Sequence, residues 1–160
     1  MADPGRLAPA KYLLLALAVL VLDQLSKLWV LASYQPYEVQ PLLPVFNMTL
    51  VFNKGAAFSF LSEAGGWQRW FFTGLASLVS IVLLGWLLRL KSDERLTGLS
   101  LALILGGALG NLLDRVRLGQ VVDFLDFYWR QWHWPAFNLA DSAIFIGVVL
   151  MLLSGLRQRK

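Results

Sequence analysis

WFFTGLASLVSIVLLGWLL, residues 70 to 88, carries no charged side chain. Wound as a helix at about 1.5 Å per residue it covers about 28 Å, close to the roughly 30 Å hydrocarbon core of a bilayer. A chain in lipid must satisfy its own backbone polar groups, and a helix does so within a single segment. The stretch therefore predicts a transmembrane helix, and with it an integral membrane protein.

The remainder of the chain agrees. Of 160 residues, 58% are hydrophobic and only 15% charged, whereas a soluble domain carries about 25% charge. The mean hydropathy is +0.61. Apolar runs predict spans at about 12–32, 69–89, 96–115 and 136–156. The first run, preceded by Arg6 and Lys11, could be read as a cleaved signal peptide. It resumes after Asp23-Gln24-Leu25-Ser26-Lys27 and reaches Ala32, which favours an uncleaved span. Gly106, Gly107 and Gly110 interrupt the third run, and small residues let helices approach closely in lipid. The expectation is one integral membrane domain over 1–160, all-α in class, a bundle of four helices.

Basic residues near span ends set orientation. Arg6, Lys11, Arg89, Lys91, Arg95, Arg157, Arg159 and Lys160 outnumber Lys54, Arg69, Arg115, Arg117 and Arg130 on the other side. The termini and the 90–95 turn are therefore expected in the cytoplasm, and the long connections 33–68 and 116–135 outside. Within the first of these, residues 37–60 contain β-prone pieces, YEVQ, FNMTLVF and AAFSF, with turns expected at Pro41, Pro44 and Asn53-Lys54-Gly55. They predict a small extracytoplasmic β-rich segment at the membrane surface. FYWRQWHW, 127–134, has the composition of a headgroup-zone anchor.

The chain has no cysteine, which excludes disulfides and thiolate chemistry, and its single histidine, His133, does not suit a histidine-based metal cluster. The net charge of +4 reads as membrane orientation, with no nucleic acid partner. No cofactor and no metal are expected.

Polar residues inside spans then become the candidates. Asp23 and Lys27 share a helix face in the favourable acid-then-base order, either as a self-neutralising pair or as a substrate contact. Ser26 beside Lys27 does not make a nucleophile pair, because adjacent helix positions diverge by about 100°. Asn111, Asp114 and Arg115 cluster near one end of the third span, as a polar site or as a structural knot joining helices through Asp114–Arg115 and Asn111. Asn138 and Asp141 have the spacing of a helix cap, with an acid favoured by the helix dipole. That explains Asp141 locally but leaves Asp123, in VVDF, without a reason. If the loop between them folds back, the two carboxyls meet. Two carboxyls about 3 Å apart share a proton, one taking a proton from water while the other polarises a carbonyl.

DQLSK at 23–27, NKGAAF at 53–58, GNLLDR at 110–115, VVDFLDF at 121–127 and FNLAD at 137–141 occur in one order on this four-span frame. Over roughly 12 to 156 the chain resembles the lipoprotein signal peptidases, signal peptidase II. The resemblance implies an aspartic endopeptidase of the bacterial cytoplasmic membrane. Such enzymes act as monomers among membrane lipids, with the site at the outer face. They cut prolipoproteins before a diacylglyceryl-modified cysteine, and globomycin inhibits them. It implies catalytic roles for Asp123 and Asp141, and supporting or substrate-binding roles for Asp23, Lys27, Asn53, Gly55, Asn111, Asp114, Arg115 and Asn138. Asp126 is an additional acid without an assigned role. Segments 37–60 and 127–134 are expected to hold substrate and exclude bulk water, so that deleting 37–60 impairs turnover in a protein that still folds. Two other readings compete: a small antiporter using Asp23 near mid-membrane, and a non-catalytic membrane protein whose polar clusters are structural.

Overall fold

The structure, a computed structural model, describes residues 7–55, 65–91 and 93–157. Four helices are long and apolar enough to cross a membrane: α1 Leu7–Ser33, α2 Trp67–Leu88, α3 Arg95–Leu118 and α4 Leu139–Arg157. Their outward faces carry exposed Leu14, Ile81, Phe145 and Leu152. Large apolar side chains so displayed are what a lipid solvent requires, whereas in water they would form an aggregation-prone patch. Polar residues point inward instead, and Thr97 and Ser154 join α3 to α4 through a 2.9 Å hydrogen bond.

Helix α3 is the hub, buried far more than its three neighbours. Its sequence explains why. A Cβ on Gly106 would lie 2.5 Å from the Ala16 carbonyl oxygen of α1, and one on Gly107 would overlap the Ala140 carbonyl of α4. The missing side chains thus set how closely three helices pack, the small-residue logic read from the sequence. Backbone cannot yield to a new methyl as a flexible side chain can. Gly107→Ala is therefore expected to lower the detergent melting temperature by about 3 °C or more. A thermal scan giving an unchanged midpoint would show that α3 and α4 are not so tightly joined.

A sheet caps one end of the bundle, the end opposite the 89–94 turn. Its order is β1-β2-β3-β4, with every pair antiparallel. The strands are β1 Val39–Leu43, β2 Phe46–Asn53, β3 Val121–Trp129 and β4 Trp132–His133. Val30, near the end of α1, packs with Met48, Leu50, Val122 and Phe124 into a second small core beneath the sheet. The bundle and the sheet are thereby one body around α1.

Several details depart from the sequence reading. The sheet draws half its strands from 121–133, where the sequence reading placed a headgroup-zone anchor at 127–134 and expected no strand. VVDFLD is buried on both faces, so the period-two alternation that marks a strand is hidden in it. Pro41 lies inside β1, beside a register shift, rather than in a turn. An edge strand tolerates proline because its missing N–H is not needed by a further neighbour. AAFSF, 56–60, falls outside the described residues. Helix α4 starts at Leu139 rather than 136, because Phe137 is held in a bridge to Leu125. Finally, β2 is an interior strand, so deleting 37–60 is expected to dismantle the sheet rather than spare the fold.

Candidate active site

The polar site is built where the sheet meets α1, α3 and α4. Lys27 is its foundation, with a side chain only 2% exposed. Its Nζ donates to Asp23 Oδ2 at 2.8 Å, Asp114 Oδ2 at 2.8 Å and Asn111 Oδ1 at 3.0 Å. All three ammonium protons are used. Two buried carboxylates on one lysine leave an excess of negative charge, which other donors offset. Ala140 N–H reaches Asp23 Oδ1 at 2.9 Å, and Val122 N–H reaches Asp114 Oδ2 at 3.1 Å. Gln24 Nε2 donates to Asp114 Oδ1 at 3.0 Å and to Asp23 Oδ2 at 3.2 Å. Gly110 makes room for the Asp23 carboxylate, which a Cβ there would strike. This cluster ties α1 to α3, to the first turn of α4 and to the first strand residues after α3.

Asn111 and Asn138 carry the network from that cluster to the two acids. Asn111 Nδ2 donates to Asp141 Oδ1 at 2.7 Å. Asn138 Nδ2 donates to Asp123 Oδ1 at 2.7 Å and to Asn111 Oδ1 at 3.1 Å. Asn53 Nδ2, at the end of β2, donates to Asp123 Oδ2 at 3.2 Å. The cap read from the sequence is present and reciprocal. Asp141 N–H donates to Asn138 Oδ1 at 2.9 Å, and Asn138 N–H to Asp141 Oδ2 at 3.4 Å. Asn138 thus serves the helix end with its oxygen and Asp123 with its nitrogen.

Asp123 and Asp141, eighteen residues apart in sequence, line one cleft of about 770 Å³ together with Asn111, Arg115, Trp134 and Phe137. The cleft continues along α4 past Ile144, Phe145 and Val148, where its wall is apolar and faces lipid. Burial lifts the Asp123 pKa to about 7, and the nearby charge of Asp141 pushes the same way. Hydrogen bonds from Asn53 and Asn138, and the Lys27 charge, hold it back from rising further. A carboxyl near pKa 7 can hold or release a proton at neutral pH, which general acid–base chemistry needs.

The remaining residues named from sequence fall into place around this. Gly55 N–H donates to Asn53 Oδ1 at 3.0 Å, closing the turn that aims Asn53. Arg115 Nη2 donates to the Gly55 carbonyl at 3.0 Å, fastening that turn to α3. Of the structural knot read from the sequence, Asp114 and Asn111 do join α3 to α1 through Lys27, whereas Asp114 and Arg115 take separate partners. As helix neighbours they diverge, so Asp114 turns to Lys27 and Arg115 to the cleft. Ser26 Oγ donates to the Asp23 carbonyl at 2.7 Å, away from any role with Lys27. Asp23 is fully buried and paired, which removes the free mid-membrane carboxylate that the antiporter reading requires. Gln24 was missed as a supporting residue. Its place inside DQLSK was the only signal, because its partner Asp114 is 90 residues away.

Comparison with known proteins follows the same lines. The family model described as signal peptidase (SPase) II matches residues 15–157. A lipoprotein signal peptidase from Cupriavidus necator is 52% identical over 150 residues, covering 94% of this chain and 85% of that protein. One from Burkholderia mallei is 53% identical over 154 residues, covering 96% and 91%. A bacterial membrane enzyme solved by the in meso method at 2.3 Å superposes with a TM-score of 0.84 at 29% identity, over 94% of this chain and 90% of that one.

Proposed function

The chain belongs to the signal peptidase II family, a multi-pass membrane aspartic peptidase that removes signal peptides from prolipoproteins, and we propose that Asp123 and Asp141 are its catalytic pair. The observation that carries this reading is their joint suspension by Asn138 and Asn111 at the polar end of a cleft whose other end is open to lipid.

The chemistry follows from a pair holding one proton. The ionised carboxyl removes a proton from water, whose oxygen attacks the scissile carbonyl carbon. The protonated carboxyl gives its proton to the carbonyl oxygen as the tetrahedral intermediate forms. Collapse breaks the C–N bond: the leaving amine takes a proton from the carboxyl that first accepted one, and one hydroxyl of the intermediate returns its proton to the other carboxylate as the product acid forms, restoring the singly protonated pair. The scissile bond lies before a cysteine carrying a diacylglyceryl group. Its acyl chains rest against Ile144, Phe145 and Val148, while the peptide lies between Trp134 and Phe137. Asp23, Lys27 and Asp114 act beneath this as the support of Asn111. Asn53, Gly55 and Arg115 form the opposite rim. Globomycin competes for the same cleft, and the chain works as a monomer, with the catalytic pair and its supporting network all supplied by one chain.

The direct test is cleavage of a diacylglyceryl-cysteine prolipopeptide by the purified protein in detergent with EDTA present. Full turnover with the chelator is expected. Loss of turnover, restored by a divalent cation, would replace the aspartic mechanism with a metal-dependent one.

The sheet and cleft face outward, with the termini in the cytoplasm of a bacterial inner membrane. The absence of cysteine makes this easy to check. A membrane-impermeant maleimide applied to intact cells stripped of outer membrane is expected to label Gln131→Cys. It should reach Lys91→Cys only after permeabilisation. The reverse pattern would invert the topology.

A further inference from the structure

Asp126 and His133 take no part in the site described above. Alternation along β3 places Asp126 with Val122, Phe124 and Tyr128, on the face opposite Asp123. Asp126 is nonetheless only 6% exposed. Asn47 Nδ2, across the sheet on β2, donates to its Oδ2 at 2.8 Å. The His133 Nδ1 lies 3.0 Å from each of its two oxygens. The His133 ring also stacks on Tyr128, its cross-strand partner, with centroids 5.4 Å apart and planes 18° apart. The histidine is thus held on its flat side by an aromatic ring and at its edge by a buried carboxylate.

What this contact fastens is a weakly held piece of backbone. β4 has two residues, and a two-residue strand has little hold of its own. Beyond it the Trp134 N–H still donates to the Phe127 carbonyl at 2.7 Å, but Pro135 has no N–H to give. The register has slipped by one residue when Phe137 pairs with Leu125. Residues 134–137 are one wall of the cleft, and the next residue, Asn138, holds Asp123 and caps α4. The strap is anchored firmly at its Asn138 end. At its other end the Trp134 N–H bond to Phe127 and the side chain of His133, held by Asp126 and Tyr128, tie it to β3.

We infer that Asp126 and His133 are a positioning pair for the peptide substrate: they fix the Trp134 end of the strap against the sheet, so that the 134–137 wall is preset to receive an extended peptide. The inference rests on the peptidase reading of the cleft. Because Asn138 secures the catalytic end independently, releasing the His133 end loosens the wall and leaves the two aspartates in place. The effect therefore falls on peptide affinity, not on bond breaking.

The test compares His133→Phe with His133→Gln. Phenylalanine keeps a ring against Tyr128 and loses the nitrogen facing Asp126. Glutamine loses the ring and keeps an N–H of similar reach. For a diacylglyceryl-cysteine prolipopeptide, H133F is expected to raise KM about 5- to 10-fold with kcat within about twofold of wild type. H133Q should recover most of that loss. Hydrogen exchange at the Trp134 amide, with the Phe137 amide at the anchored end as an internal control, gives a readout independent of turnover. At Trp134 it should be about tenfold faster in H133F. Unchanged KM, unchanged exchange, or H133Q as poor as H133F would each overturn the inference. So would a parallel fall of kcat and melting temperature, the mark of general structural damage. If well-folded wild type itself fails to cleave, the peptidase reading is what has failed, and the substrate role of the pair goes with it.

Discussion

Replacing either Asp123 or Asp141 by Asn is expected to cut turnover at least about a thousand-fold while the protein stays folded. Asparagine matches the shape of aspartate and can still accept from Asn138 or Asn111. It cannot take a proton from water or pass one to the substrate. Each carboxyl is needed, so the two single losses should be comparable and the double loss little worse, as for groups that act as a unit. Turnover within tenfold of wild type in either variant would remove that residue from the chemistry. The non-catalytic alternative predicts the opposite, tolerance at both positions.

The same substitution has a readout in stability. Asp123 has a pKa of about 7 in the folded protein, against an ordinary carboxylate value of about 4 unfolded. Between those two values the folded state binds a proton that the unfolded state has lost. Stability should therefore fall as pH rises through this window, by roughly 2–4 kcal/mol, and level off above it. Asp123→Asn should lack that slope. Turnover in the wild type should also decline as pH rises past about 7, when the shared proton leaves the pair. Melting curves from pH 4 to pH 8 that are parallel in wild type and variant would refute the assignment of the raised pKa to Asp123.

Lys27→Met is expected to give the largest loss of stability, on the order of 3–5 kcal/mol. Methionine fills much of the same volume but withdraws the donor to Asp23, Asp114 and Asn111 together. Asp23 is fully buried and Asp114 nearly so, and neither can recover its lost partner from water. For a chain of this size, such a loss lowers the melting temperature by roughly 6–20 °C. Combining Lys27→Met with Asp23→Asn and Asp114→Asn removes the stranded charges and should restore part of it. A single Lys27→Met variant melting within about 2 °C of wild type would mean that the lysine does not neutralise these acids. Asp23→Asn alone should cost less, because it leaves Lys27 with Asp114, and its effect should appear in the melting temperature before it appears in turnover.

The sequence by itself determined the membrane class, the four helices and the residues worth watching. Those signals are local. A charge-free run such as 70–88 is long enough to cross lipid whatever surrounds it, and an Asn138-to-Asp141 cap is set by spacing along one helix. The five short motifs carried the family because their order survives in one dimension. What the tertiary structure decided is which of those residues meet. VVDFLDFYW becomes an interior strand because β2 pairs along one edge and the strap and β4 along the other, a burial that erased its alternation. Lys27 takes Asp114 as well as its helix neighbour Asp23, a partner 87 residues away that no periodicity could announce. Asp123 reaches Asp141 through two asparagines, Asn138 donating to both Asp123 and Asn111, and Asn111 donating to Asp141. Such contacts depend on helix distance, set in turn by three glycines of α3, and only closing the bundle in three dimensions fixes that distance.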